Sequence, residues 1–216
     1  IISMSVPSKP IFVILHGLAN TKWHIRKVEK KLSSLGYETW SITYPSMSYS
    51  LEEIADFVGK HLELVAGNRP LIGIGHSMGG IVLRLLSNRF NWIGSVLIGT
   101  PNGGSSAAKH VFKIPIFNRF YGPAARELAT RRVWPDPPQP STLFFSKTGV
   151  SFFCPQSVFL KITGWSPKED HDGMVTVSES KSANITRFCE LPLDHVRMIN
   201  HPQVIYEACK YLIEEN

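Results

Sequence analysis

Ile72-Gly73-Ile74-Gly75-His76-Ser77-Met78-Gly79-Gly80 decides how the rest of the chain is read. The apolar run that leads into it, from Leu71 to Ile74, has the composition of a buried strand. It passes into Gly-His-Ser-Met-Gly and then into Ile81, Val82, Leu85 and Leu86, which recur at helical spacing. The pattern is strand, sharp turn, helix, with Ser77 at the apex. A turn that tight strains the serine backbone, so its neighbours must be small, and Gly75 and Gly79 stand two residues to either side. Such a turn lifts the hydroxyl above a sheet edge and aims a helix N-terminus at it, the setting of a nucleophilic serine. Five positions with three fixed also occur by chance, and a Gly/Ser turn joining a strand to a helix is the plain alternative. The strand before and the helix after favour the nucleophile.

Outward from this turn, strands and helices alternate. Residues 11–15 form a fully apolar strand, and a helix follows over about 24–35, stopped at Gly36. A strand is expected at 39–44 and a helix at 51–65, where Leu51, Ile54, Phe57, Val58, Leu62 and Val65 mark one face. After the serine strand come a helix to about 90, strands at 95–98, 142–146 and 186–191, and a helix over 202–213 with Pro202 in its first turn. This is an α/β pattern: a mostly parallel sheet of about six strands flanked by helices on both faces. Functional groups should then gather at the carboxyl ends of the strands. At 216 residues the expectation is a single domain over 1–216. Within it, 103–140 is too long for a simple crossover and is read as a cap or lid segment. A second aromatic insertion occupies 149–168.

Composition excludes several classes. Hydrophobic residues at 43% and charged residues at 19% suit an ordinary globule, and no apolar run reaches the roughly 18 residues that span a bilayer. Residues 1–10 are too short and polar for a signal peptide, so the chain is read as cytoplasmic, with a leader already removed as the alternative. The net charge is +6, and Lys22, Arg26, Lys27, Lys30 and Lys31 interleave with Ile25, Val28, Leu32 and Leu35 at helical spacing. That reads as the solvated face of an amphipathic helix; the sharper alternative is peripheral contact with an anionic membrane surface. No nucleic-acid module is present, and a monomer is expected. Cys154, Cys189 and Cys209 are odd in number and lack metal-ligand spacing. Cys189 reads as part of an apolar strand and Cys209 as part of a helix, both as core fillers.

A nucleophilic serine needs a base and a group to orient it. His195 and His201 follow the last strand. A loop leaving that strand can swing His195 to the serine, whereas His201 precedes Pro202 and reads as a helix start. His76 adjoins the serine and reads as support for the turn. Glu169, Asp170 and Asp172 compete for the orienting acid; Asp172 is preferred because Gly173 lets the chain turn directly after it, with an Asx turn as the plain alternative. Asp194 is adjacent to His195 and poorly placed to curl back onto its ring. An oxyanion needs two aimed N–H groups. Met78, directly after the serine, is one, and Leu18 is the other if Gly17 takes an unusual turn that points the Leu18 amide inward.

Together, His16-Gly17, Gly75-His76-Ser77-Met78-Gly79-Gly80, Gly99-Thr100-Pro101-Asn102-Gly103-Gly104-Ser105, Asp172-Gly173-Met174-Val175 and His195 resemble a serine esterase or lipase of the α/β-hydrolase superfamily, one of its small, lipase-like members. They arrive in that family's order, nucleophile then acid then histidine. The resemblance implies Ser77, Asp172 and His195 as a triad, the Leu18 and Met78 amides as an oxyanion hole, and an acyl-serine intermediate without metal or cofactor. It implies a small-molecule or lipid acyl ester as substrate. Acyl transfer, thioester or amide cleavage on the same triad, and a non-catalytic binding member of the fold, are the alternatives. For substrate contacts, Phe112, Ile116, Phe117 and Phe120, with Val111 and Ile114, are read as lining an acyl cleft or lid, and Lys109, Lys113 and Arg119 as facing water or acidic headgroups.

Overall fold

The computed structural model describes residues 9–118, 120–131 and 133–213. Six parallel strands make one sheet: β1 (Ile11–Leu15), β2 (Glu38–Trp40), β3 (Leu71–His76), β4 (Trp92–Ile98), β5 (Ser141–Phe145) and β6 (Arg187–Glu190), in the order β2-β1-β3-β4-β5-β6. Successive side chains alternate across it. Ile11, Val13 and Leu15 join Leu71, Leu97 and Leu143 against α2 (Leu51–Ala66) and α3 (Met78–Leu85), whereas Phe12 and Ile14 join Ile72, Ile74, Val96, Ile98 and Phe144 against α1 (Lys22–Ser34) and the C-terminal helix. A sheet covered on both faces needs apolar residues on both, hence the largely apolar, fully buried runs of β1 and β3 inside it. From β1 the chain runs outward to β2 and returns to β3 on β1's other side. The order reverses between β1 and β3, and the crevice beyond their carboxyl ends lies at that reversal.

Two insertions rise from that edge. Residues 103–140 carry α4 (Ser106–Val111), α5 (Pro115–Asn118) and α6 (Pro123–Thr130), and 149–168 carry α7 (Pro155–Ile162). They share an apolar cluster in which Ala107 and Val111 meet Leu160 and Trp165, flanked by Phe117, Tyr121 and Phe159. The Trp165 indole N–H reaches Ser106 Oγ at 3.3 Å. α6 is fastened downward instead: Ala124 and Leu128 join the α2–α3 side of the core, and Glu127 accepts the Leu51 amide at 2.7 Å. Buried Arg84 pins the proline-rich return loop by donating to the carbonyls of Pro135 (2.6 Å) and Trp134 (2.9 Å) and to Asn102 Oδ1 (2.7 Å). The chain ends through α8 (Val177–Lys181) and α9 (Pro202–Lys210).

Several boundaries differ from the sequence reading. β2 holds three residues rather than six, because beyond Trp40 the chain leaves the sheet to bring Tyr44 onto His16. β6 is an edge strand with mostly exposed side chains, so Cys189 is half-buried against the α9 side rather than set in an apolar strand; Cys209 is half-buried as well. Arg119 lies outside the described residues.

The His16–Tyr44 contact ties the end of β1 to the loop before α2. The rings stack at 3.8 Å, His16 Nδ1 donates to the Gly17 carbonyl at 2.8 Å, Nε2 accepts the Tyr44 amide at 3.3 Å, and the Tyr44 hydroxyl donates to the His16 carbonyl. Burial lowers the His16 pKa to about 4, opposed by the Gly17 hydrogen bond. The unfolded chain therefore binds a proton near pH 6.5 that the folded chain refuses until about pH 4, and stability falls as pH drops through that window, by about 3 kcal/mol from this group. Thermal melts should show the midpoint dropping from pH 6.5 to 4, with a shallower drop in His16→Asn; an equal slope in that variant would remove His16 as the source.

Candidate active site

Ser77 sits at φ +55°, ψ −124°, a conformation that costs a non-glycine residue on the order of 1–3 kcal/mol. The surroundings hold it there by contact. Its amide donates to the Ile98 carbonyl at 2.8 Å, locking the apex to β4. A Cβ on Gly75 would lie 2.6 Å from Gly80 Cα, and one on Gly79 would lie 2.4 Å from the Leu15 carbonyl oxygen. The first turn of α3 is thus jammed against the backbone of β1. Gly17 is also close, though less severely: a Cβ there would meet Ser77 Cβ at 3.0 Å. This corrects the expectation of an unusual turn at Gly17, since the left-handed residue of that loop is Ala19, at φ +54°.

The second arm comes from two loops. Asp172 and His195 are both buried, and His195 Nδ1 lies 2.7 Å from Asp172 Oδ2. The other oxygen of Asp172 accepts the Met174 and Val175 amides at 2.9 and 2.8 Å, and the His195 amide donates to the Asp172 carbonyl at 2.9 Å. Gly173 takes φ +106°, which lets the loop fold back on its own carboxylate. The other candidate acids lie elsewhere. Glu169 accepts from Ser178, and Asp170 is exposed. His201 caps α9, its ring accepting the Gln203 amide at 3.3 Å.

Ser77 and His195 line one cavity of about 450 Å³. Its walls come from the β1 loop (Gly17 to Asn20), from Val111, Phe112, Phe117 and Tyr121 of the first insertion, and from Pro155, Gln156, Phe159 and Leu160 of the second. Among the described residues no lysine, arginine, aspartate or glutamate lines it. Among the described residues Ser77 Oγ makes no hydrogen bond, and the Leu18 and Met78 amides donate to no protein group, leaving two N–H groups unclaimed in the two segments that flank the serine. Ile116 and Phe120 do not line the cavity. Both are 64% exposed, because Phe117 and Tyr121 take the inward side of this segment and turn the 116/120 pair outward. Among the described residues no group of three or more His, Cys, Asp or Glu side chains is arranged to hold a metal ion.

Two residues that sequence reasoning undervalued fix the histidine loop. His76 is buried, and its Nε2–H donates to the His195 carbonyl at 2.8 Å. Burial, then the neighbouring His195 and His24 rings, push its pKa well below the ordinary value, so it stays neutral. Asp194 is buried too, but faces away: it accepts from Ser151 Oγ at 2.8 Å and Arg197 Nε at 2.6 Å. Burial raises its pKa, but these bonds and the Arg197 charge outweigh that and hold the carboxyl below its usual value. Arg197 stacks over Phe153, 4.3 Å from the ring centre, so the second insertion also braces this loop. Adjacency to Ser77 and His195 was the only sequence signal for either residue.

Comparison with known proteins agrees with this fold. The model of the alpha/beta hydrolase family matches residues 12–202. By sequence the chain matches no curated protein. Among solved structures, a lipase of Bacillus licheniformis in its mature form is similar, with a TM-score of 0.67 at 16% identity, covering 98% of this chain and 94% of the lipase. A methylesterase from Arabidopsis superposes with a TM-score of 0.56 at 12% identity, covering 95% of this chain and 99% of that one. Tomato methylketone synthase I, complexed with 2-tridecanone, gives 0.56 at 14% identity over 96% and 99%. The identities are low, so these likenesses speak for the fold; the family match, which spans most of the sequence, shows that the chain belongs to the alpha/beta hydrolase family.

Proposed function

We propose that this chain hydrolyses uncharged carboxylic esters with apolar acyl groups, through an acyl-serine intermediate. The observation that carries the reading is the strained Ser77 sharing one cavity with His195, whose ring is held by buried Asp172 at 2.7 Å. With Nδ1–H donating to Asp172, the lone pair of His195 Nε2 is free to take the Ser77 proton as Oγ attacks the ester carbonyl. The unclaimed Leu18 and Met78 amides are the donors for the oxygen that becomes negative. His195 then protonates the leaving alcohol, and later draws a proton from the water that releases the acid. The Ser77–His195 hydrogen bond forms with substrate in place, as such contacts are commonly long before binding. A largely apolar wall, without ionic side chains among the described residues, suits a hydrocarbon acyl chain and disfavours a charged one. Labelling by a fluorophosphonate probe, with turnover of nitrophenyl esters of graded chain length, tests the reading.

Ser77→Ala should fold normally and lose activity by several orders of magnitude, up to about a million-fold, while Asp172→Asn loses somewhat less. Near-normal turnover by purified Ser77→Ala would end the assignment. His76→Leu should lower kcat on the order of a hundredfold with KM within a few-fold, because the ring it positions is then misplaced. His76→Gln, which keeps a donor, should recover part of the loss; no recovery would show that bulk alone matters. Phe117→Ser should raise KM for long-chain esters more than for acetate, since each buried methylene is worth about 0.8 kcal/mol. Phe120→Ser, on the outer face, should show no chain-length dependence.

A further inference from the structure

α1 carries a charge that the hydrolytic site does not use. Lys22, Arg26, Lys27, Lys30 and Lys31 are all exposed, and none pairs with an acidic side chain among the described residues. The helix has one acid, Glu29, and that accepts the Ser41 hydroxyl at 2.5 Å. Five cations against one acid give this helix +4 of the chain's +6, and the other 18 basic and 16 acidic residues nearly cancel. Ile25, Val28 and Leu32 are spent on the core, so at 100° per residue the cations fan over the opposite half of the helix. Trp23 stands at the centre of that fan, 65% exposed, with the Arg26 guanidinium 4.5 Å over its ring.

Position gives this face a use. α1 follows β1, so its N-terminus lies at the carboxyl edge of the sheet, and it begins two residues after Asn20, which lines the cavity. We propose that the Trp23–Lys31 face of α1 docks the protein on an anionic phospholipid surface, holding the cavity's edge of the sheet beside it. A file of lysines and an arginine attracts such a surface within a Debye length, about 8 Å at physiological salt. A tryptophan with its ring half out of the protein suits the headgroup layer, where an amphipathic ring has both water and hydrocarbon to meet. That aromatic, beside an apolar cavity, favours lipid over a polyanion such as RNA. The apolar side of α1 is committed to the core, so the helix rests on the surface without inserting and the attachment is salt-sensitive.

The test is co-sedimentation with vesicles of phosphatidylcholine mixed with phosphatidylserine and of phosphatidylcholine alone, across a salt series. The wild-type chain should bind the mixed vesicles only and release as salt rises. Each cation contributes roughly fivefold, so Lys27→Glu/Lys30→Glu should bind at least about 25-fold more weakly. Trp23→Ala should weaken binding several-fold. All three proteins should melt at the same temperature with the same circular dichroism spectrum, which shows that each is folded. Equal binding to both vesicle types, no binding to either, retention of binding in the lysine variant, or capture of RNA without capture of vesicles would each overturn the proposal. Ser77→Ala should bind as the wild type does, so this test stands apart from the hydrolytic reading.

Discussion

The contact on which the structure turns is that between the first turn of α3 and the backbone of β1. A helix can start directly beneath the carbonyls of Leu15 and His16 only if it has no side chain there, and Gly79 supplies that absence. Gly80 does the same toward Thr100, where a Cβ would stand 2.1 Å from Oγ1. With the helix fixed from both sides, Ser77 has no room to relax out of its positive φ, and its strain is borne by packing elsewhere. The same closeness brings Gly17 within contact of the serine, so the loop after β1 and the turn after β3 form one small unit at the point where the strand order reverses.

The histidine arm is held differently. It depends on hydrogen bonds from separate parts of the chain: the Asp172 loop, the His76 ring and, through Asp194 and Ser151, the second insertion. Each of these bonds is buried, where breaking one leaves a costly unpaired group, although His76 Nδ1, on the other side of its ring, has no hydrogen-bond partner among the described residues. His76 connects the two arms, since it belongs to the serine turn and bonds the backbone of the histidine. The serine turn and the His195 loop are therefore joined through one buried side chain.

The roof over the cavity divides in two. α6 belongs mechanically to the body, anchored through Glu127 and the α2–α3 core, while α4 and α7 face each other across an apolar cluster of their own. Apolar side chains from both insertions thus reach the cavity wall, and neither insertion alone encloses it.

What the sequence determined by itself is what local chemistry determines. Apolar runs marked the inner strands, because burial on both faces leaves a continuous mark, and helical periodicity marked the covering helices; the edge strands β2 and β6, with half-buried or exposed side chains, were marked only approximately. Gly-x-Ser-x-Gly between strand and helix specified the turn, because a Cβ at Gly75 or Gly79 would strike neighbouring backbone, and Gly173 specified the loop at Asp172, because its positive φ favours glycine. Tertiary structure decided whatever depends on partners distant in the chain. That Asp172, rather than Glu169 or Asp170, touches His195 rests on a loop closed by Met174 and Val175 amides. That Phe117 faces inward while Ile116 and Phe120 face out depends on Phe159, 42 residues beyond Phe117. That Gly17 serves close approach rather than a left-handed turn depends on Ser77, and that Asp194 is spent on Ser151 and Arg197 depends on an insertion with no periodic signature. Periodicity reports which face of an element is buried; what that face is buried against is settled only when the chain has closed on itself.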